Sequence, residues 1–336
     1  MLIAVLQFVG LAGVIVVAGS VLAKAADQIA EVTGLGRLLI GSVLLAGATS
    51  LPELTVDITA VRQGMPDLAV GDLLGSCLMN LLILAVMDLS HHSRGKMLSR
   101  TAAAHAMSGL LSMALVALVG LALITTPRVA DWTLLGAHVW NWLIAIGYVA
   151  GLRMVFLDQR ISAQVAREAQ PTTEVPQHKS PPIWRLVLTF VGAAAVIVAT
   201  GPLLAETAGR IADLSGMGKT FVGTTFVALS TSLPELVASI AALRLGAFDL
   251  CIGNIFGSNA FNVLLFLPLD WAYPGALCAS VGTGHLVSVL AVIGATAIVI
   301  MGQLYQSETR RRFIEPDAWL VIVVIVGSLF LVYHFP

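Results

Sequence analysis

Thr49-Ser50-Leu51-Pro52-Glu53-Leu54 recurs, at an offset of 182, as Thr231-Ser232-Leu233-Pro234-Glu235-Leu236. A second motif follows each copy at the same offset. Gly71-Asp72-Leu73-Leu74-Gly75-Ser76-Cys77-Leu78-Met79-Asn80 is matched by Gly253-Asn254-Ile255-Phe256-Gly257-Ser258-Asn259-Ala260-Phe261-Asn262. Between 38–88 and 220–270, 20 of 51 positions are identical without a gap. Each copy sets a proline and a glutamate inside an otherwise apolar run. Proline removes a backbone donor and disfavours helical geometry at the residue before it. Both copies therefore predict a helix that breaks beside a carboxylate.

The surroundings of these motifs are lipid-like. Of 336 residues, 58% are hydrophobic and 11% charged, with a mean hydropathy of +0.93. Soluble domains are about 45–50% apolar and about 25% charged. This length accommodates about ten spans of roughly 20 residues. A net charge of −1 offers no basic face for nucleic acid. Cys77, Cys251 and Cys278 form no spaced pair for a disulfide framework or a zinc site. The N-terminus lacks the basic start of a signal peptide. Its Phe8-Val9-Gly10 and Val14-Ile15-Val16 also recur as Phe190-Val191-Gly192 and Val196-Ile197-Val198. It reads as a permanent span.

Ten helices follow, near 2–29, 37–62, 67–89, 103–125, 132–156, 183–212, 221–244, 249–269, 285–303 and 319–333. The second is interrupted around Ala48–Pro52 and the seventh around Ser230–Pro234. The polar stretch 158–182 reads as a linker between repeats at 1–157 and 183–336. Loops after the odd-numbered helices carry 14 of the 18 Lys and Arg residues, which places them in the cytoplasm and both termini outside it. Five helices per half turn the second half upside down, so the expected fold is all-α integral membrane with two inverted five-helix repeats.

A carboxylate at the bilayer centre costs at least ~2.5–3.5 kcal/mol on insertion scales. Two at matched positions point to a cation site. The neighbouring groups all offer oxygen: hydroxyls of Thr49, Ser50, Thr231, Ser232, Ser76 and Ser258, amides of Asn80 and Asn262, and carbonyls freed by Pro52 and Pro234. An all-oxygen set suits Ca²⁺ and disfavours zinc or copper. Gly71/Gly75 and Gly253/Gly257 read as faces for close helix approach. Asp57, one turn after Glu53, reads as a solvated residue near the outer mouth, with a third acid on the ion path as the other reading. Asp72 shares that ambiguity. Asp67, Asp249, Asp88 and Asp270 read as helix-end partners, and His105 and His285 as satisfied interfacial histidines.

With these paired motifs, the chain resembles the calcium/cation antiporter superfamily, which includes the sodium/calcium exchangers. The resemblance extends over essentially the whole chain. It implies alternating access, with helices 1 and 6 sliding against the rest. It implies ion coordination by Glu53 and Glu235, backbone oxygens of Thr49 and Thr231, and side chains of Ser50, Ser232, Ser76, Ser258, Asn80 and Asn262. Backbone oxygens of Ala46 and Ala228 would serve flanking monovalent ions. Departures from the family pattern are Ala48 and Ser230 for Gly, Asp72 and Cys77 for Asn, and Asn262 where many sodium-coupled members carry Asp. An amide at Asn262 resembles proton-coupled relatives. The implied activity is exchange of Ca²⁺ for Na⁺ or H⁺ in a bacterial inner or plasma membrane. Ca²⁺, the monovalent ion and the lipid bilayer are the partners, and no cofactor is implied. Alternatives are Mn²⁺ as the divalent ion, a passive cation channel, and an intramembrane metalloprotease. The last lacks a His-Glu-x-x-His-like motif.

Overall fold

Backbone groups in lipid find no water, so apolar spans must close their own hydrogen bonds as helices. The computed structural model describes residues 1–90, 102–169, 181–215, 228–304 and 316–334. In chain order the helices are α1 (Leu2–Thr33), α2 (Arg37–Thr49), α3 (Leu51–Arg62), α4 (Pro66–Ser90), α5 (Ala102–Thr125), α6 (Val139–Ala169) and α7 (Ile183–Ser215). Then come α8 (Leu233–Arg244), α9 (Phe248–Leu264), α10 (Phe266–Ala272), α11 (His285–Leu304) and α12 (Pro316–His334). Among the described residues, seven helices are long and apolar enough to cross a membrane, or eight with α2 and α3 counted as one bent span. This is an all-α integral membrane protein. The expected start of the seventh helix (221–227), the basic loop His91–Arg100 and Arg310-Arg311-Arg312 lie outside the described residues.

Burial sorts the helices into a centre and a rim. In the apolar windows, 89% of the α9–α10 segment and 72% of α4 is buried, against 22% of α1 and 28% of both α6 and α7. The centre is therefore the pair of helices that carry the Gly-x-x-x-Gly-Ser runs. On the rim, α1 and α7 pack along each other, α1 also against α8 and α7 against α3. Gly201 of α7 rests directly on Pro52 of α3, and a Cβ at Gly19 of α1 would lie 2.9 Å from Val237 Cγ1 of α8. The two rim helices thus touch the two Pro-Glu segments at matched glycines.

The repeat is visible in local geometry. α3 ends in a left-handed Gly64 (φ 76°) and α8 in a left-handed Gly246 (φ 71°). Both ends carry the same pair of closing bonds: Met65 N–H to Ala60 O at 3.0 Å and Gly64 N–H to Val61 O at 3.1 Å, against Ala247 N–H to Ala242 O and Gly246 N–H to Leu243 O, both 2.9 Å. These two bonds satisfy carbonyls that the helix end would otherwise orphan. Two histidine–aspartate contacts also match. His105 Nε2 of α5 lies 2.9 Å from Asp249 Oδ1 of α9, and His285 Nε2 of α11 lies 3.1 Å from Asp67 Oδ1 of α4. Asp67 and Asp249 are equivalent positions of the two repeats, and each ties its helix to the other half. Asp270 accepts the backbone N–H of His138 at 2.6 Å and of Leu277 at 2.7 Å. The reading of Asp67, Asp249 and Asp270 as helix-end partners agrees with these contacts.

Two expectations need correction. The fifth helix begins at Val139, because 133–138 form a small hairpin, β1 (Thr133–Leu134) against β2 (Ala137–His138). Its turn residues Leu135 and Gly136 have φ of 49° and 81°, and Asp270 holds its second strand. The same helix continues to Ala169, so 158–169 is helical where a linker was expected, and 170–180 lies outside the described residues.

The glycines divide the same way. A Cβ at Gly253 would lie 2.5 Å from Leu38 O, and one at Gly257 would strike the Ser42 backbone. Gly41 would meet Leu250 O at 2.5 Å in return. Here α2 and α9 touch backbone to backbone. A Cβ at Gly75 would lie 3.5 Å from Ala228 Cβ, and residues immediately before 228 lie outside the described set. Overpacking costs about 1–3 kcal/mol, and more where backbone must move. Gly257→Val is therefore expected to lower the thermal midpoint of the detergent-purified protein and broaden its size-exclusion peak. Gly192→Val, whose Cβ meets nothing within 4 Å, should behave as wild type. Equal stability of the two variants would contradict the close approach.

Candidate functional site

Ser50, Leu51, Pro52 and Glu53 form the start of α3. Ser50 (φ −90°, ψ 5°) breaks the helix, and the bend between α2 and α3 is 42°. Proline falls in the first turn, where its missing N–H is not needed. Glu53 falls in the same turn, at the positive end of the helix dipole. The second copy repeats this: Ser232 (φ −79°, ψ 3°) precedes α8, with Pro234 and Glu235 in its first turn. In sequence, Ser-x-x-Glu is a capping box. Neither serine makes a side-chain cap bond. Ser50 Oγ instead donates across the repeat to Glu235 Oε1 at 3.0 Å. A motif that would close a helix end locally is used to join the two halves.

The residues expected at the site are all buried. Glu53, Glu235, Thr49, Thr231, Ser50, Ser76, Ser258 and Asn80 have no exposure, and Ser232 and Asn262 have 1%. Their partners form a cross-repeat network. Thr49 Oγ1 donates to Leu45 O at 3.0 Å and reaches Asn254 Oδ1 at 3.4 Å and Ser258 Oγ at 3.5 Å. Asn80 Nδ2 donates to Asn259 Oδ1 at 2.9 Å, and Asn259 Nδ2 to Cys77 O at 3.2 Å, where α4 crosses α9. The Ala46 carbonyl already accepts Ser50 N–H at 3.0 Å and Thr49 Oγ1 at 3.2 Å. The Ala228 carbonyl accepts Ser232 N–H at 3.0 Å and Thr231 Oγ1 at 3.1 Å. An ion at either would compete with both bonds.

Several oxygens here have no hydrogen-bond partner: both of Glu53, Oε2 of Glu235, Oγ of Ser76 and Ser232, and Oδ1 of Asn80 and Asn262. Buried polar atoms are normally paired, and leaving one unpaired costs ~1–3 kcal/mol. A concentration of unpaired oxygens at two broken helices is the chemistry of a hard-cation site. Glu53 also lies within electrostatic reach of Glu235, Asp72 and Asp57. Among the described residues, no three His, Cys, Asp or Glu side chains converge as metal ligands.

Asp57 departs from expectation. It is fully buried, as is Asp72 at 2%, so neither sits at a solvated mouth. Asn254 and Asn259, which no reading of the site included, are fully buried within the network. Their signal was available in the sequence, since they are the second-repeat counterparts of Asp72 and Cys77.

Known proteins resemble this chain in sequence and in overall fold. The profile described as sodium/calcium exchanger protein matches residues 3–150 and 185–334. The putative antiporter CaxA of Alkalimonas amylolytica is 28% identical over 311 residues, which cover 92% of each chain. The sodium/calcium exchanger MaX1 of Methanosarcina acetivorans is 40% identical over 84 residues, 25% of this chain and 24% of that one. In structure, the chain is similar to the sodium-calcium exchanger NCX_Mj soaked with Na⁺ and Sr²⁺, with a TM-score of 0.68 at 18% identity, covering 98% of this chain and 99% of that one. With its profile match running through both halves and the two Pro-Glu segments in the interior, the chain belongs to the sodium/calcium exchanger protein family.

Proposed function

We propose that the protein is a secondary antiporter that moves Ca²⁺ across the membrane in exchange for Na⁺ or H⁺. The observation that carries this reading is the pair of fully buried glutamates at matched helix breaks, with unpaired oxygens around them. Glu53 and Glu235 hold one divalent ion, or monovalent ions or protons in its place. Both loads cannot be held at once, and that competition couples their movement. Carbonyls of Thr49 and Thr231, hydroxyls of Ser50, Ser232, Ser76 and Ser258, and amides of Asn80 and Asn262 complete the shell. The flanking carbonyls of Ala46 and Ala228 take monovalent ions when their present bonds yield.

Ten spans in two inverted five-helix repeats give the site matched routes to either face, with both termini outside the cytoplasm. Alternating access has α1 and α7 slide against the remaining helices. Their mutual packing and their glycine contacts with α3 and α8 support that reading. A passive channel would not need two mirror-related breaks around one site.

Competition of this kind sets the transport behaviour. In proteoliposomes, ⁴⁵Ca²⁺ uptake should be driven by an outward Na⁺ gradient or an outward H⁺ gradient and fall to background with neither. Equal uptake in all three conditions would indicate a channel. Glu53→Gln and Glu235→Gln should each reduce gradient-driven uptake to background while the size-exclusion profile stays that of wild type. Full exchange by either variant would remove the glutamate pair from the mechanism.

A further inference from the structure

Asp57 and Asp72 stand where the second repeat has Ser239 and Asn254, at the common repeat offset. The two pairs occupy matching environments. Thr49 Oγ1 reaches Asn254 Oδ1 at 3.4 Å, and Thr231 Oγ1 reaches Asp72 Oδ1 at 3.3 Å. In the second repeat the pair completes itself: Asn254 Nδ2 donates to Ser239 Oγ at 3.0 Å and to Glu235 O at 3.4 Å. A hydroxyl and an amide bring both donors and acceptors, so nothing further is required.

The first repeat replaces this with two carboxyl groups within hydrogen-bonding reach of each other. Ionised carboxylates only accept. Apart from each other, Asp57 has no hydrogen-bond partner for either oxygen and Asp72 has none for Oδ2, and all three atoms are buried. Ser76, one turn beyond Asp72 on the same helix, adds an unpaired buried hydroxyl. Among the described residues, no ion pair from Lys, Arg or His reaches either acid. The pair joins α3 to α4, with Asp57 one turn from Glu53; both acids lie within the electrostatic field of Glu53, and Asp72 also within that of Glu235.

We propose that Asp57 and Asp72 form a second cation site, present in the first repeat alone, that takes a hard oxygen-seeking cation, Na⁺ or Ca²⁺, beside the one held by Glu53 and Glu235. Two carboxylates and the Thr231 hydroxyl supply its ligands. This inference rests on the antiport reading, because it assumes that ions reach the Glu53–Glu235 site from solution. It gives the carrier an ion capacity that differs between its two halves.

The test exchanges the pair for the one already built into the other repeat. D57S/D72N installs a serine and an asparagine that the same fold packs at Ser239 and Asn254. D57N/D72N serves as a second variant should the first fail to run as a single size-exclusion peak. Equilibrium binding of ⁴⁵Ca²⁺ and, separately, ²²Na⁺ is measured on purified full-length protein. Wild type is expected to hold one ion more per chain than the variant in at least one of the two experiments. The experiment that shows the difference names the ion. The E53Q/E235Q variant should retain that extra ion while losing the other. Equal binding by wild type and both variants for both ions overturns the second site and leaves the antiport reading standing. Absence of any binding to wild type overturns both.

Discussion

Glu53 and Glu235 are held without exposure inside a bundle whose outer surface is apolar, and much of the surrounding structure answers that constraint. A charge so placed needs dipoles, hydrogen bonds or an ion. Each glutamate sits in the first turn of a half-helix, where the backbone dipole favours an anion. Each half-helix exists because Ser50 or Ser232 leaves helical geometry just before a proline that tolerates the first turn. The hydroxyls beside each break, the facing amides and the glutamates make an oxygen-lined interior. The broken backbone lies in the buried centre of the protein, as irregular backbone at membrane depth must.

The close approach of α2 to α9 follows from the same need. Hydroxyls and amides reach only a short way, so the helices that carry Asn80, Asn259, Asn262 and Ser258 must lie against the broken ones. Glycines at 41, 253 and 257 permit contact of backbone with backbone. The rim helices α1 and α7 meet the Pro-Glu segments through Gly19 and Gly201. The molecule thus has a dense polar centre with the α1–α7 pair packed beside it.

Much of this was legible in the sequence because it is written twice. A constant repeat offset, a proline in an apolar run and a glutamate beside it are local signals, and each one set a helix break at the right residue. The oxygen character of the site came from residue type alone. What escaped the reading depends on contacts between distant positions. Nothing in the sequence near Asp57 says that Asp72 packs against it, so a turn-by-turn count toward the helix end placed it in solvent. The pairing of His105 with Asp249 and of His285 with Asp67 crosses the repeat and leaves no trace in spacing. The hairpin at 133–138 replaced an expected helix start because the distant Asp270 takes the His138 N–H. The composition of 158–169 is polar enough for a loop, yet the helix from Val139 carries it as its final turns.

If one buried oxygen-lined site holds either a divalent ion or its monovalent counterpart, the two must compete at equilibrium. ⁴⁵Ca²⁺ binding to the purified protein would be measured while Na⁺ is raised at fixed pH, and again while pH is lowered at fixed Na⁺. A shared site requires that at least one of the two displaces the Ca²⁺ that depends on Glu53 and Glu235, at a half-point that moves to higher competitor concentration as Ca²⁺ is raised. That Ca²⁺ staying bound under both titrations would contradict it, because ions that do not compete cannot exchange through a shared site.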